Sequence, residues 1–533
     1  MISSKIDEWI SILSNTFFII SVVHNPNTCY HISMVFKRNN SELFTLIPYS
    51  ASQGPVGAVI TQVTHDSRSV QENTLYVALP GEHFDGHDFI RQAISEGAHT
   101  IIHQNPLDYY DPEILYLQVS SSRQALSKVS NWFFGTEANK VQIIGITGTD
   151  GKSSTCHFIY ELLKTVGIKA SLLSTVSYDD GSGLRKNPTR MTTPEAPDIH
   201  RFLACSQKNG VRFAILETSS HALSSKTLRL ADVQFDMAIT TSLTSDHLDF
   251  HENVASYIDD KLSLFKRLKK DRGIAIAHRD GNHYRKITLL CRNLISYSLE
   301  DDSADLLISL ENSDSTLHIQ SDHFGLDSHI SAPFKQPFFL LDVAAALSAV
   351  LSIEDANRKE VIEAVTDLQL ITGRGKEYRR YGRLIIFDYA HTPDSFRKLF
   401  SYYHLTNPDH TSIIVFGAAG SRDHSKRSLM GSIAAEYGRL LIITSEDPRN
   451  EAPQDIYEEI LSKMNDSQKE HCLSIPDRSQ AIEMAFEASN DGDMIFFLGK
   501  GHESSIQIDG QNIIWDEQKL IEEHLGNLQE ELV

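Results

Sequence analysis

The sequence predicts an α/β protein of three domains, and three observations support this prediction. The chain has 533 residues, of which 41% are hydrophobic, and this length exceeds what one hydrophobic core normally serves. Short apolar runs typical of buried strands alternate with stretches of helical spacing along most of the chain. Polar or glycine-rich residues follow many of these runs, as is usual at strand ends in α/β sheets.

The first section, residues 1–119, is expected to form a small N-terminal α/β domain. Residues 74–79 have the character of a strand, a turn is expected at residues 80–81, and residues 88–96 have helical spacing. The most hydrophobic N-terminal run, residues 16–23, is far shorter than the roughly 20 residues that span a bilayer, and it has no basic leader. We therefore expect this run to be a buried strand.

The second section, residues 120–371, opens with an amphipathic helix near Ser120 and contains the segment GITGTDGKSS at residues 145–154. An apolar run at residues 141–144 precedes this segment and a helical stretch at residues 154–164 follows it, which is the context of a phosphate-binding loop. Strand-like runs at residues 213–216 and 237–240 alternate with helical stretches. We expect a central P-loop ATPase-like domain with a mostly parallel sheet, and a solvated hairpin or loop at residues 300–315.

The residue types of the phosphate-binding loop suit a nucleotide. Glycines let backbone N–H groups converge on oxyanions, Lys152 can reach the terminal phosphates of ATP, and Ser153 can bind Mg²⁺. The expected ATP-binding residues of this loop are Gly148, Thr149, Asp150, Gly151, Lys152, Ser153 and Ser154. The loop alone indicates a nucleotide and does not indicate a reaction.

The third section, residues 372–533, repeats the alternation of strands and helices. Strand-like runs lie at residues 384–387, 412–416, 440–443 and 494–498, and each ends in polar or glycine-rich residues. These features predict a C-terminal Rossmann-like α/β domain. Ligands of open α/β sheets bind beyond the carboxyl ends of the strands, so chemistry is expected there.

Charge and cysteine content exclude several classes of partner. Lys and Arg number 49 against 70 Asp and Glu, giving a net charge of −21, which argues against a nucleic-acid or anionic-membrane partner. The five cysteines have neither paired nor metal-like spacing, so we expect no disulfide and no structural zinc. A protein of a reducing, cytoplasmic compartment without membrane insertion is expected.

Acidic and histidine residues follow the strands of the second section. Glu217 ends one strand, His247 lies in the segment SDHLDFH at residues 245–251, and Lys261 follows in DDK. Each has an ordinary alternative, namely a solvated carboxylate, a buried histidine or a helix-surface charge. After a phosphate-binding loop, they together indicate a metal and phosphoryl-transfer site, with Glu217 as a possible ligand of Mg²⁺.

Seven ordered motifs resemble the Mur ligases. They are GITGTDGKSS, ETSSHAL (217–223), SDHLDFH, DYAHTPD (388–394), FGAAGSRDHSKRSLMG (416–431), EDPRNEAP (446–453) and GKGHE (499–503). The resemblance extends to HDSRSV (65–70) and LPGEHFDG (79–86), and so covers roughly residues 60 to 510. It implies an enzyme that uses ATP and Mg²⁺ to join a diamino acid to UDP-N-acetylmuramoyl-L-alanyl-D-glutamate in peptidoglycan synthesis.

The resemblance also implies roles for individual residues. Lys152 and Ser153 would hold phosphates and Mg²⁺, Glu217 and His247 would bind Mg²⁺, and Lys261 would act as a carbamate, an anion that helps to place a second Mg²⁺. The remaining expected residues are Arg374, Asp388 and His391 for ATP; Ser67, Arg68, His83, Thr192, Thr193, Ser220 and Arg229 for the UDP-muramyl dipeptide; and Arg422, Asp447, Arg449, Gly499 and Glu503 for the amino acid.

The chain departs from the family pattern in two places near the nucleotide. Asp150 stands where the commoner loop has Asn. Near the end of the second section the family usually has Phe-Asn-x-x-Asn, whereas residues 338–342 of this chain read FFLLD. The second departure bears on the contacts to the adenosine part of ATP.

The added amino acid is left open by the motif EDPR at residues 446–449. Arg449 favours diaminopimelate, because a guanidinium binds a carboxylate through two parallel hydrogen bonds. Asp447 adds an anion that would suit the side-chain ammonium of lysine or ornithine. A third interpretation is that Asp447 merely pairs with Arg449.

Two other functions are compatible with parts of the sequence. A folylpolyglutamate synthase would share the phosphate-binding loop and the carbamate lysine, but would not be expected to carry DPRNE and GKGHE together. A catalytically silent nucleotide- or UDP-sugar-binding relative is suggested by Asp150 and by the missing asparagines. Retention of Lys152, Glu217, His247 and Lys261 argues against it.

Overall fold

The computed structural model describes residues 18–23, 31–81, 84–189, 191–311 and 315–527. The chain divides into two compact units. The first comprises Met1–Ile143 and Lys169–Phe235, and the second comprises Ile144–Ile168 and Asp236–Val533. Each unit contains sheets covered by helices, as the alternation of apolar runs predicts.

The strands, in chain order, are β1 (Phe18–Val23), β2 (His31–Phe36), β3 (Arg38–Asn39), β4 (Ala51–Gln53), β5 (Val59–Ile60), β6 (Gln62–Thr64), β7 (Thr74–Val77), β8 (Ala98–His103), β9 (Leu115–Gln118), β10 (Gln142–Thr147), β11 (Ala170–Leu173), β12 (Ser177–Asp179), β13 (Arg185–Lys186) and β14 (Phe213–Glu217). They continue with β15 (Met237–Thr240), β16 (Ile274–His278), β17 (Leu294–Ser298), β18 (Leu306–Leu310), β19 (Thr316–Ser321), β20 (Leu326–Ser331), β21 (Lys376–Arg380), β22 (Arg383–Asp388), β23 (Thr411–Phe416), β24 (Leu440–Ile443), β25 (Cys472–Ser474), β26 (Asp493–Leu498), β27 (Ser505–Ile508) and β28 (Gln511–Ile514).

The α-helices are Leu43–Leu46, Ile90–Ser95, Ser122–Phe134, Lys152–Thr165, Ala196–Lys208, Ser220–Leu223, Val254–Lys266, Tyr284–Leu290, Pro337–Leu351, Arg358–Ala364, Pro393–Thr406, Arg427–Tyr437, Pro453–Leu461, Asp466–Lys469, Arg478–Glu487 and Glu517–Asn527. Short 3₁₀ helices lie at Asn40–Glu42, Ser67–Ser69, Gly86–Phe89, Thr136–Ala138, Val365–Asp367 and His424–Lys426. In the described part of the chain, no helix is long and apolar enough to cross a membrane.

The first unit contains a five-stranded sheet in the order β4-β9-β8-β7-β6. Strands β6 to β9 are parallel, and β4 pairs antiparallel with β9. Successive residues of β7 belong to different apolar clusters, with Leu75 beside the helix Ser122–Phe134 and Tyr76 beside the helix Ile90–Ser95. Helices therefore cover both faces, because side chains of a strand alternate between faces.

The same unit contains β11 to β14. Strand β14 is parallel to β11, while β12 and β13 continue antiparallel. Strands β1 and β2 form an antiparallel pair. A strand at residues 16–23 was predicted and β1 confirms it from Phe18 on; its predicted burial lies outside what the structure describes.

The second unit contains two mostly parallel sheets. In the first, β10, β15, β16, β17 and β18 are parallel neighbours, and β19 and β20 extend the sheet antiparallel. In the second, the order is β21-β22-β26-β23-β24-β25, and only β21 runs antiparallel to its neighbour. The predicted α/β fold with mostly parallel sheets is confirmed.

Three elements differ from the prediction. The helix after the phosphate-binding loop begins at Lys152 instead of residue 154, since Gly151 ends the loop with φ +85°. The α-helix predicted at residues 88–96 spans Ile90–Ser95, because Gly86–Phe89 form a 3₁₀ helix. Residues 300–315 were predicted to be a solvated hairpin or loop; β18 within them does form an antiparallel pair with β19, but it is not solvated, because it buries Leu306 and Ile308. The boundaries at residues 119 and 371 stay predictions.

Candidate active site

The phosphate-binding loop lies between β10 and the helix Lys152–Thr165, as predicted. Gly151, the N-cap residue, has no side chain that could cap this 14-residue helix, and the N-terminus of a helix favours an anion. Residues that follow β15 support the loop from beside it. The Oγ1 of Thr241 donates to the carbonyl of Asp150 at 2.6 Å, and the carbonyl of Ser242 accepts from the N–H of Thr149 at 2.6 Å.

The two residues assigned to the phosphates and the metal lie at the start of this helix. The Nζ of Lys152 donates to the carbonyl of Thr149 at 2.8 Å, so its ammonium stays beside the loop. Ser153 is 3% exposed. A cation and a hydroxyl at a helix N-terminus fit the phosphates and the metal of a nucleotide.

Lys261 lies against the phosphate-binding loop. Few sequence patterns would indicate such a position for a lysine in the middle of a helix. It is 2% exposed, and its Nζ donates to the carbonyl of Gly148 at 2.5 Å and lies 4.7 Å from the ring centre of Tyr257. The hydroxyl of Tyr257 is 3.0 Å from the Oγ1 of Thr149. The predicted proximity of Lys261 to the nucleotide loop is therefore present in the geometry.

His247 lies in the segment after β15, with a φ of +55°. Its Nε2 is 3.5 Å from the Oδ2 of Asp246. Burial opposes ionisation of Asp246, but the ammonium of Lys426 and the neighbouring His247 hold the pKa of this carboxyl well below its ordinary value. Asp246 is therefore an anion that orients both basic groups.

A cavity of about 210 Å³ adjoins the loop in the second unit. Its lining includes five of the expected ATP-binding residues, and twelve that the sequence analysis did not assign to ATP. The full lining is Asp150, Gly151, Ser154, Thr241, Ser242, His278, Tyr297, Phe338, Phe339, Leu341, Asp342, Arg374, Asp388, Ala390, Ser395, Lys398 and Leu399. The cavity lies beyond the carboxyl ends of β15 and β22, where ligands of α/β sheets are expected.

Two buried carboxyls of the cavity face one arginine. Burial raises the pKa of Asp388, which accepts hydrogen bonds from the N–H groups of Gly375 and Ala390, each at 2.6 Å. Burial also raises the pKa of Asp342, to which Thr155 donates at 3.4 Å. The guanidinium of Arg374 opposes both shifts.

Arg374 and His391 lie beside the ring of Tyr389. The guanidinium of Arg374 is 4.6 Å from the ring centre, and its Nε is buried with no hydrogen-bond partner within the described chain. The Nδ1 of His391 is 2.9 Å from the carbonyl of Tyr389, and removal from water, together with Lys426, lowers its pKa to about 4. His391 is therefore neutral at pH 7, and Arg374 is a donor aimed at the cavity.

The residues assigned to the amino acid surround the end of β24. The Oδ1 of Asp447 accepts from the buried Nζ of Lys500 at 3.1 Å and from the N–H of Gln507 at 2.9 Å. Lys500 also donates to the Oε2 of Glu503 at 2.5 Å. Asp447 thus contacts Lys500 and the β27–β28 hairpin, and its charge also acts on the guanidinium of Arg449.

Arg449 is held by its backbone, and one nitrogen of its side chain has no hydrogen-bond partner. It has φ +56°, its N–H donates to the carbonyl of Gln507 at 2.9 Å, and its carbonyl accepts from the N–H of Asp509 at 2.7 Å. Its Nε is buried without a hydrogen-bond partner among the described residues. Removal from water and the nearby charge of Arg422 lower the pKa of Arg449. An anion beside these two guanidiniums would be stabilised.

Arg422 and Gly499 complete this group. The Nη1 of Arg422 lies 3.3 Å from the Oδ2 of Asp249, so Arg422 already has a carboxylate partner. Gly499, with φ +98°, lies against the side chain of Glu446. Removal from water and the charge of Glu503 raise the pKa of Glu446 to about 7.

Glu217 and part of the predicted dipeptide surface lie in the first unit, at the end of β14. The Oε2 of Glu217, which is 1% exposed, accepts from the N–H of Thr175 at 2.7 Å. Thr193 donates to the carbonyl of Glu217 at 2.8 Å. The Oγ1 of Thr192 accepts from that of Thr175 at 2.9 Å. These side chains form one connected group.

Arg229 and Ser220 belong to the same unit. The Nε of Arg229 is 2.8 Å from the Oε1 of Glu195, and its Nη1 donates to the carbonyl of Thr193 at 3.0 Å. Ser220, which is 1% exposed, begins the short helix Ser220–Leu223. Thr193 and Arg229, both expected to contact the UDP-muramyl dipeptide, are therefore joined by a direct hydrogen bond.

Three predicted residues lie earlier in the first unit. Ser67 is buried at the start of the 3₁₀ helix Ser67–Ser69. The exposed guanidinium of Arg68 forms two hydrogen bonds of 2.8 Å with the carboxylate of Asp66. His83 lies outside the described residues.

Several residues that the structure brings to these sites were not singled out from the sequence. They are Thr241, Ser242, Tyr257, Asp342, Tyr389, Lys426, Glu446 and Lys500. Lys500 could have been found, because it stands inside the motif GKGHE. Lys426 likewise stands inside the motif at residues 416–431, whereas Tyr257 could not have been found, because it lies on a helix outside the quoted motifs.

Comparison with known proteins assigns the family. Models described as "Mur ligase family, catalytic domain", "Mur ligase middle domain" and "Mur ligase, glutamate ligase domain" match residues 59–133, 146–349 and 373–501. The UDP-N-acetylmuramyl-tripeptide synthetase of Borreliella afzelii (strain PKo) is 37% identical over 491 residues, which are 90% of this chain and 96% of that protein.

Two further relatives bear on the amino acid. The UDP-N-acetylmuramoyl-L-alanyl-D-glutamate–2,6-diaminopimelate ligase of Syntrophomonas wolfei subsp. wolfei is 31% identical over 496 residues, 91% of this chain and 98% of that protein. A solved structure of a ligase with the same substrate name is 26% identical, with a TM-score of 0.60, over 92% of this chain and 99% of that chain. The chain belongs to the Mur ligase family, whose members are ATP-dependent ligases of peptidoglycan synthesis.

Proposed function

We propose that this protein adds a diamino acid to the D-glutamate of UDP-N-acetylmuramoyl-L-alanyl-D-glutamate, and that the diamino acid is meso-diaminopimelate. The relatives named as tripeptide synthetases support the first part. The buried, unpartnered Nε of Arg449 is the observation that carries the second. We place the reaction in the cytoplasm and expect a monomer.

The chemistry requires an activated carboxylate, because forming an amide from a free carboxylate in water is uphill. ATP phosphorylates the carboxylate of the acceptor, and the amine of the diamino acid then attacks the acyl phosphate. Lys152 and the N–H groups of the loop would hold the phosphates, and Arg374 would contact the nucleotide in the cavity. The neutral His391 and the buried Asp388 would position Tyr389 and Arg374 beside it.

Magnesium fits the residues that are present. The hydroxyl of Ser153 and the imidazole of His247 are the groups of the second unit that would bind it, with carbamylated Lys261 helping to place a second ion; Glu217, the other ligand that the resemblance implies, belongs to the first unit. Bound Mg²⁺ would neutralise charge on the phosphates. A carbamate keeps one N–H on Nζ, so the hydrogen bond of Lys261 to the carbonyl of Gly148 would be retained.

Arg449 suits the distal carboxylate of diaminopimelate. Its backbone is fixed at both sides by the β27–β28 hairpin, and its guanidinium has Arg422 near it. A guanidinium fork matches a carboxylate, and the charge of Arg422 beside Arg449 favours an anionic ligand, while the charges of Asp447, Glu446 and Asp249 act in the opposite sense. Asp447 is neutralised by Lys500, which weakens its suitability for the ammonium of lysine or ornithine.

Lysine or ornithine remains the second candidate, because Glu446 and Glu503 add carboxylates to the same region. The test is incubation of the protein with ATP, Mg²⁺, the UDP-dipeptide and one of meso-diaminopimelate, L-lysine or L-ornithine, with the product identified by mass. We expect a product with the mass of the diaminopimelate adduct. An adduct with lysine or ornithine alone would overturn the choice of amino acid, and no phosphate release with any of the three would overturn the ligase activity of this chain.

A further inference from the structure

The antiparallel end of the first sheet of the second unit carries a group of imidazoles and carboxylates away from the cavity. Possible ligand atoms of Glu311, His318 and His329 all lie within 4.8 Å of one another. His318 on β19 is directly opposite His329 on β20 in the strand register. The N–H of Glu311 donates to the carbonyl of Thr316 at 2.9 Å, which fixes Glu311 to the adjacent strand.

The two imidazoles are parallel and each meets a carboxylate. Their ring centres are 4.3 Å apart and their planes differ by 1°. The Nε2 of His318 lies 2.7 Å from the Oδ1 of Asp327, and the Nδ1 of His329 lies 3.1 Å from the Oε2 of Glu311. Two imidazoles and two carboxylates on one face of a sheet offer nitrogen and oxygen donors to a cation.

A second group of similar composition provides a contrast. His424, Glu451 and Glu459 also lie close together, but the buried Arg427 is already placed between the two carboxylates. Its Nη1 is 2.5 Å from the Oε1 of Glu451 and 2.9 Å from the Oε2 of Glu459. The guanidinium supplies the positive charge there, so that group is an ion-pair network.

The hairpin that holds the first group is well anchored. Phe324 in its turn is 3% exposed, and its carbonyl accepts a hydrogen bond of 2.6 Å from the Nη1 of Arg358. Gly325 has φ +65°, which allows the tight connection between β19 and β20. Paired strands fix the Cβ positions of the ligands, so only side-chain rotations are needed to bring the donor atoms together.

We propose that Glu311, His318 and His329 bind one divalent ion of borderline softness, of which Zn²⁺ is the foremost example. A tetrahedral Zn²⁺ with bonds of about 2.0–2.2 Å brings its ligand atoms to roughly 3.4 Å of one another. The donor atoms of the three side chains now lie within 4.8 Å of one another, so they need to approach by little more than one ångström. Imidazole donors favour Zn²⁺, Ni²⁺ or Cu²⁺ over Mg²⁺, so this site differs in metal preference from the nucleotide site. Water or Asp327 would complete the coordination.

The test uses the untagged full-length protein, stripped with EDTA and titrated with Zn²⁺ in competition with a chromophoric chelator. We expect His318→Ala and His329→Ala each to weaken one binding event at least tenfold. His323→Ala is the matched control, because His323 is exposed in the same hairpin and lies outside the group. It should bind as the wild type does.

Two further readouts separate a metal site from a change in folding. Zn²⁺ should raise the thermal midpoint of the wild type and of His323→Ala, and not that of the other two variants. All four proteins should have equal ligase activity with Mg²⁺ and no Zn²⁺. Binding should weaken at acidic pH, because the metal requires neutral imidazoles. Equal Zn²⁺ affinity in all four proteins, or a tenfold loss in His323→Ala alone, would overturn the proposal.

Discussion

The Nζ of Lys426 lies 3.2 Å from the Oδ1 of Asp246, and this ion pair joins two segments of the second unit that are far apart in sequence. Two more contacts accompany it. The N–H of Leu248 donates to the Oδ2 of Asp423 at 3.4 Å, and Arg422 pairs with Asp249 at 3.3 Å. The segment at residues 245–251, which carries His247, is thereby attached to residues 422–426 of the next sheet region.

The first prediction concerns this attachment. Lys426→Met removes the ammonium partner of Asp246, which is 4% exposed and would keep only His247 beside it, and breaking such a buried pair costs about 3–5 kcal/mol. We expect kcat to fall more than tenfold and the radius of gyration in the presence of an ATP analogue and UDP-dipeptide to exceed that of the wild type. Activity and small-angle scattering measure this, with the exposed Lys463→Met as control. An unchanged scattering curve and kcat would contradict it.

The second prediction concerns the phosphate-binding loop. Lys152→Ala removes its ammonium from beside the carbonyl of Thr149, and should lower kcat/KM for ATP by at least about a hundredfold, because electrostatic stabilisation of phosphoryl transfer is lost. Binding of the UDP-dipeptide, measured by calorimetry, should change little. Lys164→Ala, on the exposed end of the same helix, is the matched control. Turnover like that of the wild type would refute the role of the loop.

The third prediction is that Lys261 acts as a carbamate. Lys261→Ala should nearly abolish turnover, and formate or acetate at high concentration should restore part of it by occupying the vacated position of the carboxylate-like group. Lys266→Ala, exposed in the last turn of the same helix, should be neutral and insensitive to formate. A bare ammonium at residue 261 in an experimental Mg²⁺-ATP complex would be inconsistent with this role.

The fourth prediction follows from the pKa of Glu446, which removal from water and the charge of Glu503 raise to about 7. An acid whose pKa is raised on folding binds more protons when folded, so its contribution to stability is lost as the pH rises from about 4.5 to about 7. Glu446→Gln stays neutral. The free energy of unfolding of Glu446→Gln should therefore increase relative to that of the wild type between pH 5 and pH 8, by on the order of 2–3 kcal/mol at most. Its thermal midpoint should rise accordingly. A pH-independent difference would show that Glu446 does not titrate there.

The sequence predicted the fold because its signals are local. Apolar runs such as β22 and β26 place alternate residues on opposite faces of the sheet, with Ile385 in one cluster and Ile386 in the other. The start of the helix at Lys152 was missed by two residues, since a glycine in the left-handed region can end a loop directly at the helix. The burial of β18 was missed because Asp and Ser residues precede its buried Leu306.

Site residues were predictable where a motif surrounds them and unpredictable where a distant element supplies them. The motif around Asp447 suggested a pairing with Arg449, on whose pKa the charge of Asp447 acts, and the structure adds the partner Lys500. That partner comes from the segment after β26, and no local spacing links the two. Asp342 was recognised only as a departure from a pattern, whereas the structure shows that it lines the cavity.

The last prediction tests the amino-acid pocket through Arg449. If Arg449 binds the distal carboxylate of diaminopimelate, Arg449→Ala should raise the KM for diaminopimelate and cost roughly 2–5 kcal/mol in kcat/KM, because the carboxylate loses its charged partner. Arg449→Lys keeps the charge but loses the bidentate fork, and should recover only part of the loss.

Asp447→Asn is the matched comparison for the same pocket. Because Asp447 holds Lys500 and the N–H of Gln507, its replacement should weaken the use of all diamino acids to a similar degree, without changing which one is preferred. Steady-state kinetics with meso-diaminopimelate, L-lysine and L-ornithine measure both variants. A loss confined to lysine or ornithine in Asp447→Asn would mean that this carboxylate binds the side-chain ammonium of the substrate. Arg449 would then have a structural role in the β27–β28 hairpin and would not bind the amino acid, since its backbone is hydrogen-bonded to Gln507 and Asp509.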